Sequence, residues 1–166
     1  MKFTCNQPFA VFGDKTYRGD CPPEAIEQIS FFNWVRREYP DYGSIAIHPR
    51  NEQQLRNGQF TSLRRHKAEG MTPGAADIII PAERTFVCEL KRQDHTKSKW
   101  QPGQIGYLTA CYKAGAFVCV ALGYSAAKQA FLYWLATSKK PRFSFFCVFF
   151  CCFVSKAMLK SVYSVL

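Results

Sequence analysis

The order of elements along the chain predicts an α/β domain, with helices laid against a central sheet. Two strand-like runs, DIII at 77–80 and FVCELK at 86–91, flank a five-residue loop and read as a hairpin. The run AFVCVAL at 116–122 is wholly apolar and of strand length, as expected of a strand buried on both faces. Helical spacing precedes, separates and follows these runs, giving helix, strands, helix, strand, helix.

Residues 1–21 are weakly patterned and read as a lead-in. Pro22 and Pro23 suit a helix entry, and the helix is expected to run to about Tyr39, before Pro40. Ala25, Ile29, Phe32 and Tyr39 trace its apolar stripe. Residues 44–47 form a short apolar piece, expected to be a strand. Residues 48–70 are polar and basic, with a turn at Asn57-Gly58. After the hairpin and a polar stretch at 92–99, a helix is expected from about Pro102 to Lys113. Ile105, Leu108, Cys111 and Tyr112 are its apolar residues and Gly115 its stop. Ser125 is the expected cap of a last helix reaching about Leu135.

Composition narrows the partners. The 166 residues suit one domain, and 48% hydrophobic content provides a core rather than a disordered tail. Twenty-two Lys and Arg against 12 acids give a formal net charge of +10, which favours a polyanion, either nucleic acid or an anionic membrane surface. No secretory apolar segment stands at the start, so a cytoplasmic location is expected. None of the 8 cysteines forms a CxxC pair, and they read as reduced, small apolar residues. The run FSFFCVFFCCFV at 143–154 is shorter than a membrane span and receives no function.

The hairpin carries the chemistry. Alternation puts Phe86, Cys88 and Leu90 on one face of the second strand, and Val87, Glu89 and Lys91 on the other. A loop symmetric about Glu83 sets Ile80 opposite Phe86 and Asp77 opposite Glu89. Opposed residues hold their Cβ atoms roughly 4.5–5.5 Å apart, a range at which two carboxylates repel. A hard divalent cation, Mg²⁺ or Mn²⁺, relieves that repulsion. Lys91 lies on the same face, about 6.6 Å further along. Hydrolysis of a phosphodiester uses such parts: a cation to lower the pKa of an attacking water, and fixed positive charge where the transition state is most negative. A surface hairpin with ordinary charged residues would also carry Glu-x-Lys. The opposed Asp77, with Pro73-Gly74 just before it, favours the catalytic reading.

The set Pro73-Gly74-Ala-Ala-Asp77, Glu89-Leu-Lys91 and Gln104 near a helix start resembles the VRR-NUC branch of the PD-(D/E)xK nucleases. Glu24 and Gln28, the stretch Pro49-Arg50-Asn51-Glu52, and Glu69-Gly70 extend the resemblance over about residues 22–136. It implies a restriction-endonuclease-like core, a mixed central sheet flanked by helices, and Mg²⁺- or Mn²⁺-dependent DNA cleavage. It further implies metal ligation by Asp77 and Glu89, a catalytic role for Lys91, and supporting roles for Glu24 and Gln104. The stand-alone phage or bacterial form is the expected one, and residues 137–166 have no counterpart in the family.

Glu24 is the candidate third metal ligand, with Glu27 competing for the place. Either acid would also be favoured at a helix N-terminus by the helix dipole alone. His48 and Asn51 are candidate cleft residues, not assigned to metal. Arg64, Arg65 and Lys67, and then Arg92, Lys97 and Lys99 beside Trp100, are candidate contacts to a DNA backbone. A structure-specific endonuclease acting on junctions or branches is one reading, and it would call for a homodimer. A non-catalytic nucleic-acid-binding module is the alternative. A small-molecule cofactor and a membrane partner are not expected.

Overall fold

The structure, a computed structural model, describes residues 7–49 and 60–138. Four strands form one mixed sheet in the order β1-β4-β3-β2: β1 (Ala10–Phe12), β2 (Ile78–Ile80), β3 (Phe86–Lys91) and β4 (Phe117–Leu122). β3 pairs β4 in parallel from Phe86↔Phe117 to Lys91↔Leu122, and β1 continues the parallel set beside β4. β2 is antiparallel to β3, with Ile80 opposite Phe86 and Ile78 opposite Cys88. This is the register expected from a loop centred on Glu83.

The helices are α1 (Glu24–Glu38), α2 (Pro40–Gly43), α3 (Phe60–Ala68), α4 (Gln104–Lys113) and α5 (Tyr124–Ser138). One face of the sheet, with Phe86, Cys88 and Leu90, packs on Phe31 and Val35 of α1 and on Phe131 and Trp134 of α5. The other face, with Val87, Val118 and Val120, packs on Leu108 of α4. Every residue of β3 and β4 is buried, so both strands read as continuous apolar runs interrupted only at the site. Aromatic rings fill the first layer. Phe86 stacks between Phe31 and Phe117 at 6.5 and 5.7 Å, and Trp134 donates its ring N–H to the Arg84 carbonyl at 2.7 Å.

Several expectations are corrected. The lead-in contains β1, missed because three residues carry little periodicity; its cue was the apolar run at 9–12 ended by Gly13. The α1 stripe is misphased. Glu27, Phe31, Phe32, Trp34 and Val35 are buried, while Ala25 and Ile29 are exposed. The larger aromatics offer more apolar area to bury and so set the helix's rotation. Residues 44–47 make only one bridge, Ile47 to Ile79, rather than a strand. The basic stretch contains α3, whose Arg- and Lys-rich sequence shows no apolar stripe; Asn57-Gly58 lies outside the described residues. On α4 only Leu108 and Gln104 are fully buried, and Ile105 and Tyr112 are exposed. α5 starts one residue before Ser125, and Glu27 caps it from α1: its Oε2 accepts from the Tyr124 N–H at 2.6 Å. Residues 139–166 of the tail lie outside the described residues. Among those described, no helix is long and apolar enough to cross a membrane.

Candidate active site

The site lies where β2 begins and β3 ends. Asp77 stands one residue before β2, at the position that continues the ladder opposite Glu89. Its Oδ2 accepts a hydrogen bond from the Leu90 backbone N–H at 2.9 Å. Its carbonyl accepts from Gln28 Nε2 at 3.3 Å and meets His48 Nδ1 at 2.8 Å. The hairpin, α1 and the segment after α2 therefore converge on Asp77.

Glu89 has no solvent exposure. Its Oε1 accepts from Gln104 Nε2 at 2.5 Å and pairs with Lys91 Nζ at 2.6 Å. Its Oε2 is buried and has no hydrogen-bond partner. Gln104 also accepts from Lys91 Nζ at 3.3 Å and from the Gln101 N–H at 2.8 Å, so one amide ties the α4 entry to both charged residues. The Trp100 ring lies 5.5 Å from the Lys91 ammonium. Glu24, at the start of α1, accepts from Ser98 Oγ at 2.5 Å.

Two glycines bring α4 to the hairpin. Gly74 (φ 75°) and Gly103 (φ 91°) cross so closely that a Cβ on Gly74 would lie 2.4 Å from the Gln104 nitrogen. Both need the left-handed backbone that glycine adopts without strain. The sequence singled out Pro73-Gly74; its partner Gly103 was not foreseen.

Burial sets the electrostatics. It pushes the Glu89 carboxyl from its ordinary 4.5 up to about 8, and the negative charge of Asp77 adds to the shift. Asp77 is raised as well, chiefly by burial and against the pull of Lys91. Burial alone would lower Lys91, but Glu89, Glu24 and Asp77 together outweigh it and hold the ammonium above its usual value. Glu24 also raises both other carboxyls, so its charge is felt at the site.

The donor set fits a divalent cation. A buried carboxylate oxygen without a partner is costly, and the facing acid worsens the cost. A hard cation held by Asp77 and Glu89 would relieve both. Among the described residues, no group of three or more His, Cys, Asp or Glu side chains is placed to hold a metal, and Glu24 is engaged by Ser98. Its rival Glu27 is occupied as the cap of α5.

The expected DNA contacts divide. Arg64, Lys67 and Lys99 are exposed, and Arg65 is exposed but paired to Glu69 at 2.7 Å. Arg92 donates to the Cys21 carbonyl at 2.7 Å and Lys97 to the Gly19 carbonyl at 2.7 Å, strapping the chain before α1 onto the loop after β3. Trp100 packs against the second core cluster. Asn51 lies outside the described residues. His48 and Ser98 reach the site, and only His48 carried a sequence signal.

Among solved structures, the chain is similar to a VRR_NUC domain protein with a TM-score of 0.56 at 19% identity, covering 72% of this chain and 92% of that one. No protein-family model matches the sequence. No curated protein matches it either. The expected architecture, a mixed sheet flanked by helices, is the one found, and the chain shares the fold of that VRR_NUC domain protein.

Proposed function

We propose that the chain is a metal-dependent deoxyribonuclease, hydrolysing phosphodiester bonds at Asp77, Glu89 and Lys91. One observation carries the reading: Glu89 is wholly buried, its Oε1 held by Gln104 and Lys91, its Oε2 unpartnered, on the strand that faces Asp77. A structural carboxylate would have both oxygens satisfied. Asp77 and Glu89 would hold Mg²⁺ or Mn²⁺, with Glu24 as a third negative charge nearby. When bound, the cation neutralises charge on the scissile phosphate and lowers the pKa of the attacking water.

The chain's own groups do the rest. Lys91 supplies a fixed positive charge in a low-dielectric site, where it stabilises a developing anion most. Gln104 holds Glu89 and Lys91 in one orientation. Leu90 N–H, Gln28 and His48 hold Asp77. Arg64, Lys67 and Lys99 are exposed charges suited to the phosphate backbone, which they would position without reading sequence.

Labelled linear, flapped and four-way-junction DNA, incubated with Mg²⁺, Mn²⁺ or EDTA, tests this. The wild type should cut only with metal, and Glu89→Ala and Lys91→Ala should not cut. Undiminished cutting by Glu89→Ala would overturn the assignment. Salt-sensitive binding by folded protein that never cuts would mark a binding module instead. A preference for junctions would call for a symmetric dimer, since two strands must be cut.

A further inference from the structure

A groove of about 540 Å³ opens beside Asp77, lined by Ala25, Gln28, Ile29, Phe32, Asn33, Arg36, Ala46 and His48. Its first feature is position. Gln28 and His48, which line it, are the two side chains that meet the Asp77 carbonyl. A phosphate placed at Asp77 and Glu89 would therefore have this groove as its neighbour.

Its second feature is composition. Ala25, Ile29, Phe32 and Ala46 make an apolar wall, and Ile29 is half exposed although apolar (54%). The amides of Gln28 and Asn33 offer both donors and acceptors above that wall. Arg36 closes the far end, its guanidinium 5.2 Å from the Phe32 ring centre. An apolar slot with a few amides suits the flat face and polar edge of a nucleobase, and the arginine suits the next phosphate. The volume lies in the ordinary range of small-molecule sites.

We infer that this groove is a base-binding subsite: it receives an unpaired nucleobase of the strand being cut, next to the scissile phosphate. The inference rests on the nuclease reading for its substrate, and it makes the preferred DNA one with a single-stranded or opened end at the cut. A paired base has its polar edge occupied and its faces stacked, so a duplex interior would have to open first.

The test separates the two readings. Single-stranded and flapped DNA carrying one abasic position, moved stepwise past the cut, is given to the wild type and to an Ile29→Ala/Asn33→Ala variant. One abasic position should slow the wild type about tenfold, the size of a lost stacking contact. The variant should cut normal DNA more slowly and no longer respond to that position. Equal cutting of all abasic substrates by the wild type overturns the subsite while leaving the nuclease intact. Binding is read separately with the Glu89→Ala protein and oligonucleotides carrying a fluorescent 2-aminopurine. Its emission should change on binding, and the groove substitutions should abolish the change. An unaltered signal in the groove variant overturns the inference whether or not the chain cuts. A dimer that Ile29→Glu dissolves, with unchanged 2-aminopurine binding, would assign the groove to a second copy and also overturn it.

Discussion

Gly74 sits so close to Gln104 that a Cβ added to it would lie 2.4 Å from the Gln104 backbone nitrogen. That contact joins the loop leading to Asp77 to the helix start that holds Glu89 and Lys91. Gly74→Ala meets both this backbone clash and a positive φ. It should destabilise the protein by about 1–3 kcal/mol and cut activity more than the stability loss explains. Urea unfolding beside cleavage rates at a temperature where the variant stays folded measures both.

Gln104 touches Glu89 and Lys91 but brings no charge of its own. Gln104→Ala should lower the cleavage rate about 10–100-fold, as losses of an orienting partner do at metal sites. Titration of the metal dependence of cleavage should show weaker metal use as well. A fall in rate below tenfold, with unchanged metal response, would reduce Gln104 to a packing residue.

Glu89 makes the metal-free protein sensitive to pH. Its folded pKa of about 8 lies above the ordinary 4.5, so between those values the folded state keeps a proton that the unfolded chain has lost. Stability in EDTA should therefore fall as pH rises through that window. Asp77, raised by burial, adds with the same sign, whereas the raised Lys91 acts only at higher pH. Melting curves should show the slope flattened in Glu89→Gln, which should melt higher than wild type at the alkaline end. Added Mg²⁺ should stabilise the wild type and not this variant.

Two groups of basic residues should behave differently. Lys99→Ala removes an exposed charge. It should weaken DNA binding evenly across sequences and lower the salt slope by about one. Arg92→Ala removes the hydrogen bond to the Cys21 carbonyl and should lower the melting temperature. Fluorescence anisotropy over a salt series, beside thermal unfolding, separates the two effects.

The hairpin was legible because two simple rules agree there. Side chains alternate along a strand, and a short loop fixes the register, so Asp77 opposite Glu89 follows from the sequence. The apolar face of β3 and the two buried faces of β4 were legible from the same alternation and from the unbroken apolar run. What escaped depends on partners distant in the chain. β1 is a three-residue strand whose identity comes from β4, more than a hundred residues later. The rotation of α1 was set by Phe31 and Trp34 against Phe86 and Phe131, which no local pattern contains. Ser98 became a partner of Glu24 only when the loop after β3 folded beneath α1. Glu27 and Glu24 look alike in sequence, and only the arrival of α5 over Glu27 tells them apart.

β3 has a neighbouring strand on each edge and helices on both faces, so its amides should exchange with solvent only when the whole domain opens. The two residues bearing most of the proposed chemistry ride on that strand, while the groove residues ride on the outer face of α1 and the segment after α2. Heritable change is thereby partitioned. A substitution in β3 is paid in folding, whereas Ile29 or Asn33 can vary at little structural cost. Descendants of this chain would keep one reaction and drift in what they present to it.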